Sequence, residues 1–389
     1  MKNIGIYFSY EPHSGGAYQF SLSVIEALVS KKDIYNYNII LFSQRDEYKY
    51  IAEEYGLKFE LMCSEHIINR ACNFLFRRLL PYKLYKRVCH IWYASYGVII
   101  KNKIDIWITP WPDNFMRDLH LKSIIAIFDL MHRYEPKFEE VADEYAKREE
   151  NYKRICQYAD VILADSNVGK QHILQSYGNE FPKLEDKIRI LPFIPASYVY
   201  EAKDTIPLKD IEFEKYVFYP AQFWEHKNHR NLIQAIALLK AKGITVNLVC
   251  VGSAKNAFEN INELIKKNGL QEQVKILGYV DNDEIVALYQ HARALVMPTF
   301  FGPTNIPPLE AFVLGCPVAI SNIYGIPEQV GDAALLFDPS SVEEIANCIE
   351  QLWTDDALCE SLKEKGKNRS LLWGRSQYAE TLASYINEM

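Results

Sequence analysis

No stretch of this chain approaches the roughly 18 uninterrupted apolar residues that a membrane-spanning helix requires. The N-terminal "MKNIGIYFSY" runs straight into a strand pattern, without the basic, apolar and small-residue regions of a secretory leader, so a cytoplasmic protein is expected. There is no basic excess. Lys and Arg number 43 against 50 Asp and Glu, a net charge of -7, which argues against nucleic acid as the main partner because phosphate-backbone binding needs a basic surplus or stripe. The eight cysteines, Cys63, Cys72, Cys89, Cys156, Cys250, Cys316, Cys348 and Cys359, form no C-x-x-C pair. Several sit in apolar runs such as "NLVCVG" and "LGCPVAI", where a reduced thiol packs as a small hydrophobe, so all are read as free and structural. Low-complexity segments and short-period repeats are also missing.

What is there suits a soluble globular protein: 49% hydrophobic and 24% charged residues, with a mean hydropathy of -0.16. At 389 residues the chain is long for one core and comfortable for two domains of about 150 to 200 residues. Short β-branched runs alternate with helical stretches: "NIGIYF", "YNIILFS", "IDIWIT", "SIIAIF", "DVILAD" and "KIRIL". Their apolar residues are continuous rather than alternating, as in parallel strands covered on both faces. After a charged, proline-containing stretch from about Pro192 to Lys215 the pattern restarts with "YVFYP", "TVNLVCVG", "VKIL", "ALVMP", "CPVAI" and "ALLF". The expected fold is therefore α/β, two Rossmann-like doubly wound domains facing across a cleft. The first covers residues 1–195 and the second 213–372, and a helix at about 373–389, after a break at Gly374, is expected to pack back on the first. Ligands in such sheets bind beyond the carboxyl ends of the strands, which directs attention to the βα loops.

The loop "FFGPTNIPPLEAF" (300–312) carries the strongest pattern. Pro307 and Pro308 suit a helix start and Gly315 its end, which puts Glu310 in the first turn. The N–H groups of Thr304, Asn305 and Ile306 would then lie at the positive end of that helix, where a phosphate oxygen binds. An acceptor-only carboxylate one turn in suits the vicinal hydroxyls of a ribose, although Glu310 would equally complement the helix dipole. "YVFYPAQFWEHKN" places Lys227, with His226 beside it, in a loop facing the same cleft, where an ammonium could neutralise a departing diphosphate or simply be solvated. Gly15 and Gly16 follow the first strand, where missing side chains let backbone approach a ligand or merely make a turn.

The two Rossmann-like halves, the Gly-Gly loop, "FWEHKN" and "GPTNIPPLEAFVLGCPVAISNIYGIPEQVGDAALLFDP" together resemble a family 4 glycosyltransferase of GT-B fold, similar to bacterial mannosyltransferase-like enzymes of surface-glycan assembly. The resemblance covers nearly the whole chain. It implies a retaining, metal-independent transfer of a hexose from a nucleotide sugar, GDP-mannose-like or a UDP-sugar, to a growing glycan or lipid-linked acceptor. The nucleotide sugar is a substrate, and no cofactor is implied. By the same resemblance Glu310 holds the ribose and Lys227 the diphosphate. Gln222, His226 and Thr304 to Ile306 approach the donor, Tyr279 and Val280 border the base, and Gly15 and Gly16 face the reaction centre.

Two departures stand out. The family carries a second glutamate eight positions before the one matched by Glu310, and here that position is Gly302, so sugar readout must come from elsewhere, with Asn305 a candidate. Many members have a His-Asp pair after the fourth strand of the first half, whereas "SIIAIFDLMHRYEP" has Phe128 before Asp129, with His132 further on. Either Asp129 or His132 is expected to touch sugar or acceptor, unless both only cap and orient a loop. If the leaving phosphate itself takes the acceptor's proton, no separate strong base is needed.

Asp281, Asn282 and Asp283 spell D-x-D, a metal-binding carboxylate pair in glycosyltransferases of the other common fold, but Asp281 followed by Glu284 reads as a capping box. Residues 66 to 104 hold Arg70, Arg77, Arg78, Lys83, Lys86, Arg87, Lys101 and Lys103 with interleaved aromatics and no acid. That mixture suits a surface helix on anionic lipid at the inner face of a membrane, or an ordinary solvated basic face. Two other functions fit parts of the pattern: a nucleotide-sugar epimerase of similar architecture, and a non-catalytic sugar-nucleotide binding subunit.

Overall fold

The computed structural model describes residues 1–11, 15–62, 67–110, 119 and 121–389; Cys63 and the first residue of the basic stretch, His66, lie outside them, as do the side chains of Arg70 and Arg77. Seven strands, β1 (Lys2–Tyr7), β2 (Tyr37–Ser43), β3 (Lys58–Leu61), β4 (Ile106–Thr109), β5 (Lys122–Ala126), β6 (Val161–Ala164) and β7 (Ile188–Ile190), form a parallel sheet in the order β3-β2-β1-β4-β5-β6-β7. Six more, β8 (Val217–Pro220), β9 (Leu248–Val251), β10 (Val274–Ile276), β11 (Ala294–Met297), β12 (Val318–Ser321) and β13 (Ala334–Phe337), form a second parallel sheet in the order β10-β9-β8-β11-β12-β13. The chain therefore folds as two Rossmann-like parallel-sheet units.

The continuous apolar runs follow from burial on both faces. In β2, Ile39 and Leu41 enter one core while Ile40 and Phe42 enter the core on the opposite face. In β5, Ile124 and Ala126 divide from Ile125 in the same way. A single larger core built on β8 to β13 holds the second unit.

Strand β3 is absent from the pattern of apolar runs. It is a four-residue edge strand with Lys58 and Glu60 ion-paired at 2.6 Å, and its Leu61 is exposed, so no buried stripe marks it. Beyond β7 the chain makes a short helix, Ser197–Tyr200, on its way to β8. The last helix, Arg375–Glu388, starts after Gly374 and lies along the helix Gly16–Tyr35, where Glu380 meets Lys31 at 2.5 Å and Tyr37 donates to Asn387 at 3.1 Å. The seven described cysteines are free thiols. Among the described residues no helix is long and apolar enough to cross a membrane.

Candidate active site

In both sheets the strand order reverses beside the first strand, between β1 and β4 and between β8 and β11. The crevice above such a reversal is where open α/β sheets bind ligands. Lys227 lies in the loop after β8, Glu310 in the first turn of the helix that follows β11, and Gly15 and Gly16 at the start of the helix that follows β1.

Lys227 ends the turn Glu225–Lys227. The next residue, Asn228, is left-handed at φ 59, and its side-chain amide donates to the carbonyls of Pro298 (2.9 Å) and Pro339 (2.8 Å), tying this loop to those after β11 and β13. The half-buried Lys227 ammonium has no hydrogen-bond or ion-pair partner among the described residues. Burial pulls it down to about 8, opposed by the negative charge of Asp129 in the other unit. Asp129 itself accepts from Arg148 Nη1 (2.9 Å) and the Met131 N–H (3.0 Å). Burial would raise its carboxyl, but these partners, Arg148 foremost, hold it below the ordinary range and keep it ionised.

Glu310 sits in the first turn of the helix Pro307–Leu314, which closes on Gly315 at φ 72. It is 8% exposed, and the Tyr289 hydroxyl donates to its Oε2 at 2.8 Å. Burial raises the carboxyl to about 7, while hydrogen bonds from Tyr289 and from Tyr198 of the inter-sheet segment oppose that rise. Of the three N–H groups expected to wait for a phosphate oxygen, two are committed. The Asn305 N–H donates to Gln329 Oε1 at 3.0 Å, and the Thr304 N–H faces the carboxyl of Asp165. The Ile306 N–H has no partner among the described residues. Tyr279, 63% exposed, and half-buried Val280 lie on the rim after β10, just before the helix Asn282–His291. That helix opens on a formed capping box, with Asp281 Oδ1 accepting from the Glu284 N–H at 2.8 Å and the Asp281 N–H donating to Glu284 Oε2 at 2.9 Å.

Gly15 adopts φ 64 and ψ -128, a conformation closed to ordinary side chains, at the start of the helix Gly16–Tyr35. A Cβ on Gly16 would stand 3.5 Å from Cδ1 of Ile306. Gly16 of the first unit therefore lies against Ile306, in the loop that precedes Glu310.

Three expected site residues have partners within the protein. His132 is fully buried, with Nε2 bonded to Glu149 at 2.9 Å, where the same carboxylate also takes Arg133 (2.5 Å) and Tyr177 (3.0 Å). It is a core residue, and Asp129 is the carboxylate after β5 whose charge reaches Lys227. His226 is 9% exposed, stacks on Phe301 at 3.8 Å between ring centroids, and bonds through Nδ1 to Glu140 of the first unit at 2.6 Å. Burial drives it down to about 4 despite that partner, so it is a neutral bridge between the units. Gln222 accepts from the Trp224 indole at 2.9 Å.

Asp165, Tyr289, Tyr198, Glu140 and Gln329 were not singled out from the sequence. Only Asp165 carried a usable signal, being a carboxylate directly beyond a strand, in "VILADS".

Residues 203–369 match the family model described as Glycosyl transferases group 1. The chain is 28% identical to the O-antigen chain mannosyltransferase B of Escherichia coli over 241 residues, which is 60% of this chain and 60% of that relative. It is 27% identical over 231 residues to the serotype-specific mannosyltransferase WbdA of Escherichia coli, covering 58% of this chain and 26% of that one. Among solved structures, HepE of Anabaena in complex with UDP and glucose superposes with a TM-score of 0.73 at 16% identity over 100% of both chains. WaaG, a glycosyltransferase involved in lipopolysaccharide biosynthesis, superposes at 0.66 with 14% identity, covering 98% of this chain and 99% of the other. The protein thus has the two-domain GT-B fold, and its second unit matches the Glycosyl transferases group 1 family.

Proposed function

We propose that the protein is a retaining family 4 glycosyltransferase that moves a hexose from a nucleotide sugar to a growing glycan or lipid-linked acceptor. The observation that carries this reading is the pair at the reversal point of the second sheet: Lys227, an ammonium without a hydrogen-bond partner among the described residues, in the loop after β8, and Glu310, a buried carboxyl, in the first turn of the helix after the adjacent strand β11. The named activities of the mannosyltransferase relatives favour a GDP-mannose-like donor, and the UDP complex of HepE makes a UDP-sugar the second candidate.

In this reading the ribose hydroxyls donate to Glu310, sharing or replacing the bonds from Tyr289 and Tyr198, and the base lies by Tyr279 and Val280. Lys227 and the Ile306 N–H meet the diphosphate. As the bond from sugar to phosphate breaks, negative charge grows on the leaving oxygen and Lys227 stabilises it most in the transition state. The acceptor hydroxyl attacks from the same face and gives its proton to the departing phosphate, which retains the anomeric configuration. Asp129, held ionised by Arg148, adds a negative charge that favours the protonated form of Lys227.

The second element of the proposal is attachment at the inner face of a membrane through the basic stretch. The helix Ile67–Leu79 exposes Ile68, Leu75 and Leu79, which helical spacing puts on one face, and the next helix, Tyr82–Val88, exposes Leu84. Arg78 lies over the Phe74 ring at 4.1 Å, and Lys83, Lys86 and Arg87 are exposed beside them. Cations around exposed apolar side chains suit anionic lipid.

Product analysis with GDP-mannose and UDP-glucose and a short glycan acceptor tests the reaction. A new glycoside of unchanged anomeric configuration with free nucleoside diphosphate is expected. An isomerised nucleotide sugar would make the protein an epimerase, and binding without turnover would make it a binding subunit.

A further inference from the structure

The loop 301–306 is held from two sides. Within its own unit, Gln329 clamps Asn305 by accepting from its N–H at 3.0 Å and donating to its carbonyl at 2.6 Å, while the Asn305 amide donates to the Phe301 carbonyl at 3.2 Å. Gly302 has φ 94, and a Cβ there would stand 2.7 Å from the Thr304 carbonyl and 3.0 Å from the Asn305 amide, so the loop folds tightly on itself with no room for a side chain. From the other unit comes Asp165, directly beyond β6. Its Oδ2 accepts from the Thr304 hydroxyl at 2.5 Å, and Ser166 donates to its Oδ1 at 3.1 Å.

Asp165 is 1% exposed, and neither a lysine nor an arginine forms an ion pair with it among the described residues. Burying a carboxyl on two hydroxyls and backbone N–H groups, with no cation beside it, is costly, and an amide could bridge the same hydroxyls for less. The neighbourhood is a tight seam. A Cβ on Gly325 would stand 2.6 Å from the Pro303 carbonyl and 2.9 Å from Ser166 Oγ, and Asn167 donates to Glu328 through its N–H (3.2 Å) and its amide (2.7 Å).

We propose that Asp165 is a positioning residue for the donor-sugar loop, holding Thr304 from the first domain so that the loop takes its working shape only when the two domains are together. The proposal rests on the reading of residues 301–306 as part of the donor site, and it concerns the end of that site nearest the sugar. Since Gly302 has no side chain to read the sugar, recognition falls on Asn305 and the loop backbone. Their placement is then set partly by the other domain. The nucleotide end, built from Lys227, Glu310 and the β10 rim, does not depend on this contact.

The test compares Thr304→Val, which keeps the shape and loses the hydroxyl, with Thr304→Ser, which keeps it, and adds Asp165→Asn alone and combined with Thr304→Val. Turnover of the nucleotide sugar and calorimetric binding of UDP and GDP are measured for each. Thr304→Val is expected to lower kcat/KM for the nucleotide sugar about tenfold, the scale of a buried hydrogen bond lost with its partner left unsatisfied. Thr304→Ser should stay within about twofold of wild type, the double variant should be no worse than Thr304→Val, and the affinity for UDP or GDP should also hold within about twofold. Full activity in Thr304→Val, strictly additive losses, or a parallel fall in UDP and GDP affinity would overturn the proposal. If Asp165→Asn does not fold, the comparison of Val with Ser at position 304 decides alone. A wild-type protein that neither binds UDP or GDP nor turns over a nucleotide sugar sinks the donor-site reading and this inference with it. Wild-type activity that Thr304→Val leaves intact sinks only the inference.

Discussion

The Tyr289 hydroxyl donates to Glu310 at 2.8 Å inside the second domain, so the carboxylate assigned to the ribose already accepts a hydroxyl in the free protein. The bond shows which chemistry the pocket satisfies, an acceptor facing O–H groups. Glu310→Gln would turn one acceptor oxygen into a donor facing those hydroxyls. Nucleotide binding should weaken by about 1 to 3 kcal/mol, read by calorimetry. Unchanged affinity would reduce Glu310 to a helix-end residue.

Lys227→Ala should reduce kcat more than it raises KM for the donor, because the charge it meets is largest in the transition state. The free enzyme's groups appear in the pH profile of kcat/KM. Glu310, raised to about 7 by burial, must ionise to accept both ribose hydroxyls, and Lys227, lowered to about 8, must stay protonated. The profile should therefore be a narrow bell, rising through about 7 and falling above about 8. Glu310→Gln should remove the acidic limb, and Lys227→Arg should move the alkaline limb upward.

Local pattern carried the sequence reading furthest where the physics is local. Pro307 and Gly315 bound a helix because of their own backbone limits, and Asp281 with Glu284 makes its capping box within four residues. The continuous apolar strands reported burial on both faces. The partners of buried polar groups were not legible, because periodicity says which side chains turn inward and not what they meet. His132 reads the same whether it faces a sugar or Glu149, and His226 the same whether it faces a phosphate or Glu140. Asp165 and Thr304 are 139 positions apart, and only the apposition of the two sheets joins them.

The Glu140 bridge should leave a pH signature in stability. Burial would raise the Glu140 carboxyl, but the hydrogen bonds from His226 dominate and lower it to about 2. A carboxyl depressed in the folded state adds stability above its unfolded pKa, and that stability is lost as pH falls from about 4.5 through about 2. Glu140→Gln should cost about 1 to 3 kcal/mol at pH 7, and the difference from wild type should vanish near pH 2 in urea titrations. A pH-independent difference would mean that packing, not charge, makes the contact.

If Lys227 and the Ile306 N–H neutralise the diphosphate, a divalent cation is redundant there, and Asp281 is engaged in its capping box. Turnover should survive EDTA. Activity that collapses with chelator and returns with Mn²⁺ would assign Asp281 and Asp283 to a metal instead.

The membrane prediction weighs a local patch against the whole surface. The net charge of -7 repels an anionic bilayer, but salt screens distant charges over about 8 Å, so the patch nearest the lipid dominates. Each exposed Lys or Arg held at the surface contributes about 1 kcal/mol, and Arg78, Lys83, Lys86 and Arg87 together exceed what one lysine could do. The exposed side chains of Ile68, Leu75, Leu79 and Leu84 add apolar area that salt does not weaken. Binding to anionic liposomes should therefore be strong at low salt, weaker at high salt, and lost when the four cations are replaced by glutamine, while turnover of a short soluble acceptor is kept. Replacing Leu75 and Leu79 with serine should weaken binding at every salt concentration. If the wild-type protein does not sediment with anionic liposomes at low salt, this face is solvated and the acceptor reaches the cleft without a bilayer.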